Sequence, residues 1–206
     1  QLWCKRLEIE KTQALKQNRF DYEAKITLSG GCREDLSFAA RGLPGSSAPV
    51  RPIPYDLKFT SYASNKGWGI FDPASNVRGG GRWSKEEEEE HINILELKGA
   101  FFALRSFCKN VRDKHVRLMS DSTTVVACVN RQGSTKVRLN DITREMWHFA
   151  IARGIYLSSA HLKGVLNVES DEASRVFDES TEWMLRKDIF INICDQFEIK
   201  PEIDLF

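Results

Sequence analysis

Between Tyr55 and His161 the spacing of apolar residues alternates between a period of two and a period near 3.6, and those shifts predict the architecture. Leu57, Phe59 and Ser61 alternate with Lys58, Thr60 and Tyr62, as in a strand with one buried face. Asn65-Lys66-Gly67 is a turn, and Gly67–Phe71 is the returning strand. Gly79 to Ser84 (GGGRWS) gives a third strand with a permissive glycine entry. A helix over about Ile92 to Lys109 follows, with Ile94, Leu97, Phe101, Leu104 and Cys108 on one face. His115–Ser120 is a fourth strand, and the helix after it ends at Gly133. A helix from about Leu139 to Arg153 turns Ile142, Met146, Phe149 and Ala150 inward, and Ile155–His161 alternates as a fifth strand. Asp171 opens a helix through Phe177, and Glu182–Phe197 is helical.

Ahead of this block, residues 1–17 form a surface helix, Ala24–Leu28 a short extended piece, and Arg33 to Arg41 a second helical stretch. LPGSSAPVRPIP (43–54) has a linker composition, which places a boundary there. The element order is β-β-β-α-β-α-α-β-α. Three early strands with tight turns predict an antiparallel meander, and strands alternating with helices predict parallel additions to the same sheet.

Composition narrows the class. The 206 residues allow one domain plus an accessory segment, and 41% hydrophobic with 29% charged residues is the balance of a soluble globular chain. No apolar run approaches the ~20 residues of a membrane span, so no membrane partner is expected. The chain begins at Gln1 without a signal pattern and is read as part of something longer. Five scattered cysteines without C-x-x-C spacing argue against zinc or a disulfide framework. Cys108 and Cys128 fall on apolar helix faces as small buried hydrophobes. No Asn-x-Ser/Thr acceptor occurs, in keeping with an intracellular protein, cytoplasmic or nuclear. The net charge of +1 gives no global attraction to nucleic acid, so any such binding must come from local patches.

The candidate chemistry lies in the acids. Glu86–Glu90 are five consecutive carboxylates, read as a solvated loop leading into a helix. Gly79-Gly80-Gly81 lacks the lysine and following helix of a phosphate cradle and is read as a flexible hairpin connection. Glu96 lies along the edge of a buried helix face, where either a dipole-favoured first-turn role or a functional role fits. Asp121 stands at the C-terminal tip of strand four, where capping and function are again both open. Ligands of α/β sheets gather at that end of the parallel strands. With Asp171, three carboxylates would meet, and like charges so close call for cations. Oxygen ligands select Mg²⁺ or Mn²⁺, and two such ions ~3.5–4 Å apart can drive phosphodiester hydrolysis.

Three segments carry a family resemblance: HINILELKGAFFAL, VRLMSDSTTVVACVNRQG and IYLSSAHLKGVLNVESDEASR. They resemble the ribonuclease H region of DIRS-type retrotransposon polyproteins, which pair a reverse transcriptase with a tyrosine recombinase. YEAKITLSG, ASNKGWG, GGRWS, TEWMLRKDIF and PEIDLF extend the resemblance over nearly the whole chain. It implies a ribonuclease H-like α/β fold, a five-stranded mixed sheet flanked by helices. It also implies three parts: residues 1–50 as the connection after a reverse transcriptase domain, 51–180 as the ribonuclease H-like domain, and 181–206 as a C-terminal helical extension.

The implied activity is cleavage of the RNA strand of an RNA–DNA hybrid by four acids with two Mg²⁺. By motif, Glu96, Asp121 and Asp171 are three of those acids and metal ligands. The fourth precedes the Ala-Ser of A-S-x-x-G-W-G, and that position here is Tyr62. Asp56, six residues back, and Asp72, past the far end of the returning strand, lie too far along the sheet to replace it. Tyr62 is a poor bridge between hard cations, so impaired hydrolysis or an inactive binding module is expected. A transposase or integrase of the same fold is a third reading, against which the ELK helix and the connection segment stand. His161 matches the histidine of the family's H-x-x-G motif and suits either proton transfer or a strand-end hydrogen bond. Arg131, Lys136, Arg138, Lys163 and Arg175 are candidate phosphate contacts or ordinary solvated charges, and Asn130 and Gln132 candidate minor-groove contacts.

Overall fold

In the computed structural model, which describes residues 2–42 and 54–163 together with Cys194 and Gln196, five strands pair into one mixed sheet. They are β1 (Leu57–Ala63), β2 (Gly67–Asp72), β3 (Val77–Arg82), β4 (His115–Ser120) and β5 (Tyr156–His161). Their order is β3-β2-β1-β4-β5. β1, β2 and β3 pair antiparallel, while β4 runs parallel to β1 and β5 parallel to β4. This is the five-stranded mixed sheet flanked by helices that the sequence predicts. Among the described residues, no helix is long and apolar enough to cross a membrane.

A parallel pair needs a crossover, and helices supply both. With three earlier helices given below, α4 (Ile92–Cys108) links the meander to β4, while α5 (Thr123–Asn130) and α6 (Val137–Ile151) link β4 to β5. Phe59, Leu97, Leu104, Val116, Leu118, Met146 and Leu157 make up the centre of the core, each fully buried. Cys108 and Cys128 are buried there too, and burial pushes the Cys108 thiol up to about 12.

α4 presses on β1 through small residues. Gly99, Ala100 and Ala103 are buried in it, and a Cβ at Gly99 would stand 3.4 Å from the Tyr62 carbonyl and 3.6 Å from Ala63 Cβ. That contact sets the height of the helix above the strand.

Ala24–Leu28, expected as a short extended piece, is irregular with Ile26 exposed and pairs with no strand. Two expectations need correction. The triple glycine lies inside β3 and is not a hairpin connection. Gly79 and Gly81 pair with Ile70 and Trp68, whose side chains would stand 3.2 Å from an added Cβ. The acidic run is not simply solvated. It forms a one-turn helix, α3 (Lys85–Glu88), with Ser84 and Glu87 closing a capping box. Lys98 pairs with Glu87 at 2.9 Å and with Glu90 at 2.5 Å, Arg138 with Glu90 at 2.7 Å, and Lys66 with Glu88 at 3.1 Å.

Residues 2–42 and 54–163 belong to the first of two compact units. Within the first, a 3₁₀ turn (Leu2–Cys4), α1 (Lys5–Gln17) and α2 (Gly30–Gly42) pack on the sheet domain. Leu2 joins the main core cluster. Asp35 of α2 accepts two hydrogen bonds from the Arg144 guanidinium of α6, at 2.9 and 2.8 Å, with both residues buried. Arg144 → Met leaves the Asp35 charge buried without its main partner, and such a loss costs about 3–5 kcal/mol. Urea denaturation is expected to show that loss, and replacing both residues by apolar ones is expected to recover most of it.

Candidate active site

Parallel pairing brings the C-terminal ends of β1, β4 and β5 to one edge. β1 and β4 are in register at Thr60↔Met119, and counting on two residues sets Tyr62 level with Asp121. β5 follows with His161 opposite Ser120, and the Leu162 amide donates to the Ser120 carbonyl at 2.9 Å. α4 reaches the same edge, since Glu96 lies one turn before Gly99, which touches the Tyr62 backbone. Glu96 and Asp121 thus approach each other from different elements.

Electrostatics registers that approach. Burial pushes the half-buried Glu96 carboxyl above the ordinary 4.5. A hydrogen bond with the Ser122 side chain works the other way, the Asp121 charge adds to the rise, and His91 pulls down. Half-burial and a like charge both disfavour ionised Glu96, a condition that a cation would relieve.

The two structural alternatives for these acids go to neighbours. Ser122, not Asp121, caps α5, its Oγ accepting from the Val125 amide at 3.3 Å. His91 caps α4 through Nδ1, which accepts from the Asn93 amide at 3.1 Å. α4 has no acid in its first turn; Glu96 is in the second, where the helix dipole has faded. Ser122 and His91 are the site residues that sequence reasoning missed. The signal for Ser122 was the hydroxyl directly after Asp121; nothing in the pattern singled out His91.

The remaining candidates divide. Asp56 accepts from the His115 amide at 2.8 Å and from Lys114 at 3.1 Å, so it anchors the opposite end of the β1–β4 pair. Asp72 closes a turn by accepting from Ala74 and Ser75. Neither reaches Tyr62, which is half-buried on β1. Asn130 is a clamp: its Nδ2 donates to the Ser159 carbonyl at 2.7 Å and its Oδ1 accepts from the Ser159 amide at 2.8 Å. Arg138 is held by Glu90. Arg131, Lys136, His161 and Lys163 are exposed, and Gln132 is half-buried with φ 54°. Asp171 and Arg175 lie outside the described residues.

Among the described residues, no three of His, Cys, Asp and Glu gather so that they could hold a metal ion. Glu96 and Asp121 fit one hard cation completed by water, since Mg²⁺ commonly takes one or two carboxylates. A bridged pair of ions is a different matter, because Tyr62 offers a phenol that stays neutral below a pKa of ~10.

No family model and no curated protein matches the chain. Solved ribonuclease H structures are among those to which the chain is similar. Ribonuclease H1 of Halobacterium salinarum is 17% identical, covering 57% of this chain and 91% of its own, at TM-score 0.43. LC11-RNase H1 in complex with an RNA/DNA hybrid is 19% identical over 57% of this chain and 91% of its own, at 0.46. A foamy viral protease–reverse transcriptase with an RNA/DNA hybrid is 12% identical over 80% of this chain and 28% of its own, at 0.41. Likeness this remote says nothing about chemistry, and the fold assignment rests on strand order and sense.

The raised Glu96 pKa has a signed consequence. The folded chain holds a proton that the unfolded chain releases above 4.5, so this group's favourable contribution is complete below that pH and is lost as pH rises through the folded pKa. Glu96 → Gln is therefore expected to raise the melting temperature at neutral pH by on the order of 2 °C and to leave it unchanged near pH ~4. Equal melting curves at neutral pH would show that the charge carries no penalty.

Proposed function

We propose that the chain is the ribonuclease H-like domain of a DIRS-type retrotransposon polyprotein or of a gene derived from one. Residues 1–50 are then the connection to a reverse transcriptase domain in the same polyprotein, 51–180 the ribonuclease H-like domain, and 181–206 a C-terminal helical extension. The ligand is an RNA–DNA hybrid, and the ancestral reaction is hydrolysis of its RNA strand. Setting is intracellular, cytoplasmic or nuclear.

One observation carries this reading: Glu96 and Asp121 meet at the sheet edge where β1 presents Tyr62. Glu96, Asp121 and Asp171 are the carboxylates that would hold Mg²⁺ or Mn²⁺. When bound, such an ion activates water and stabilises the leaving oxygen. Arg131, Lys136 and Lys163 contact phosphates, Gln132 meets the minor groove where 2′-hydroxyls mark RNA, and His161 assists proton transfer or substrate handling. Asn130, clamped to β5, contributes by fixing α5 as well as by any touch on the hybrid.

Tyr62 favours impaired hydrolysis, and with it a second reading, an inactive module that binds nucleic acid or protein. Loss of even an outer partner of a metal ligand costs about 10–100-fold in activity. With a labelled RNA–DNA hybrid and Mg²⁺, the unmodified chain is expected to cleave weakly. Tyr62 → Asp is expected to cleave at least ~100-fold faster, and adding Asp121 → Asn to abolish the gain. Robust cleavage by the unmodified chain would end the impaired reading. Hybrid binding without cleavage in both proteins would establish the inactive module.

A further inference from the structure

Away from the acids, the N-terminal segment and α6 enclose a cleft of ≈680 Å³. Four arginines line it, Arg6, Arg33, Arg41 and Arg144, against two carboxylates, Glu34 and Asp35. Its local charge is therefore +2, while the chain as a whole carries +1. Asp35 is already bound by Arg144, and Arg33 and Arg41 are exposed on α2. Burial and the Arg144 charge lower the pKa of His148, so it adds no charge at neutral pH.

Aromatic rings complete the cleft. Phe38 is 45% exposed although its ring lies 4.1 Å from that of Trp3, tilted by 34°. Trp3 in turn meets His148 edge-on at 5.2 Å and carries Arg144 over its ring at 5.4 Å. Phe38 is thus a braced ring with an open side, one helical turn from Arg41.

We propose that this cleft binds single-stranded nucleic acid, with a base stacked on Phe38 and the backbone held by Arg33 and Arg41. Rings flanked by cations suit a strand whose base faces are open, and a duplex hides those faces. An acidic peptide would satisfy the arginines but would leave the ring without a partner. The proposed contact is separate from the hybrid site in both position and ligand.

Fluorescence anisotropy of the full chain with a labelled oligothymidylate of ~20 nucleotides tests this. Phe38 → Ala is expected to weaken binding by about fivefold or more. Arg33 → Gln with Arg41 → Gln is expected to weaken it further and to flatten the salt dependence by roughly 0.7 in log–log slope per arginine. All three positions are exposed, so unchanged melting curves confirm that the variants fold. Asp121 → Asn is expected to leave oligothymidylate binding intact, which separates this site from the hybrid site. Binding indifferent to Phe38 → Ala, or competed equally by polyglutamate, would overturn the proposal, as would no binding by the unmodified chain.

Discussion

α4 lies against β1 with room at position 99 for little more than a Cβ, which would meet the Tyr62 carbonyl at 3.4 Å, and the sheet edge takes its form from that contact. A side chain extending well beyond Cβ would press on the Tyr62 carbonyl and tend to lift the helix, carrying Glu96 away from Asp121. The same close approach buries the Ala100 and Ala103 face and lets Leu97 and Leu104 reach the centre of the core. Packing and site geometry are therefore one constraint. The acid stands where it does because the helix is pinned from beneath, and the parallel β1–β4 register then decides which residue of each strand it meets.

That arrangement makes the identity of residue 62 consequential. The proposed function makes this edge a four-acid site with residue 62 as one corner. Tyr62 puts a phenol at that corner, half-buried beside a glutamate already disfavoured by burial. Removing a negative charge from this edge lessens repulsion between the remaining acids. Fewer like charges ease folding, and the same change weakens the call for a cation. Stability and metal demand move in opposite directions.

Much of the frame was legible in local pattern. Alternation around Phe59 and the apolar stripe from Ile94 to Cys108 gave β1 and α4, because burial on one face leaves a period in the sequence. Glu96 and Asp121 were legible for a related reason: each is a charged residue at an element end or edge where packing alone does not explain it. What failed were features whose partners lie far off in the chain. The boundary of α2 is one, since it opens at Gly30 and not at Arg33. Ser29 caps that helix by accepting from the Cys32 amide and is itself anchored by Glu10, nineteen residues back. The glutamate run gave no hint of Lys98 and Arg138, and His91 gave none of its place beside Glu96.

β3 adds a point about assembly. It is the outer strand of the meander, and its middle is three glycines with no side chains of their own. Exposed strand edges invite pairing with other chains, and a bare, flat edge invites it most. Here Trp68 and Ile70 lean across from β2 to roof the glycines, and Arg78 and Arg82 stand at either end. The open backbone is thus bracketed by bulky charged side chains, so a second strand laid along it would have to bury or displace two guanidinium groups. A stretch that reads as the weakest part of the sheet thus carries at its two ends charges that oppose pairing with another chain.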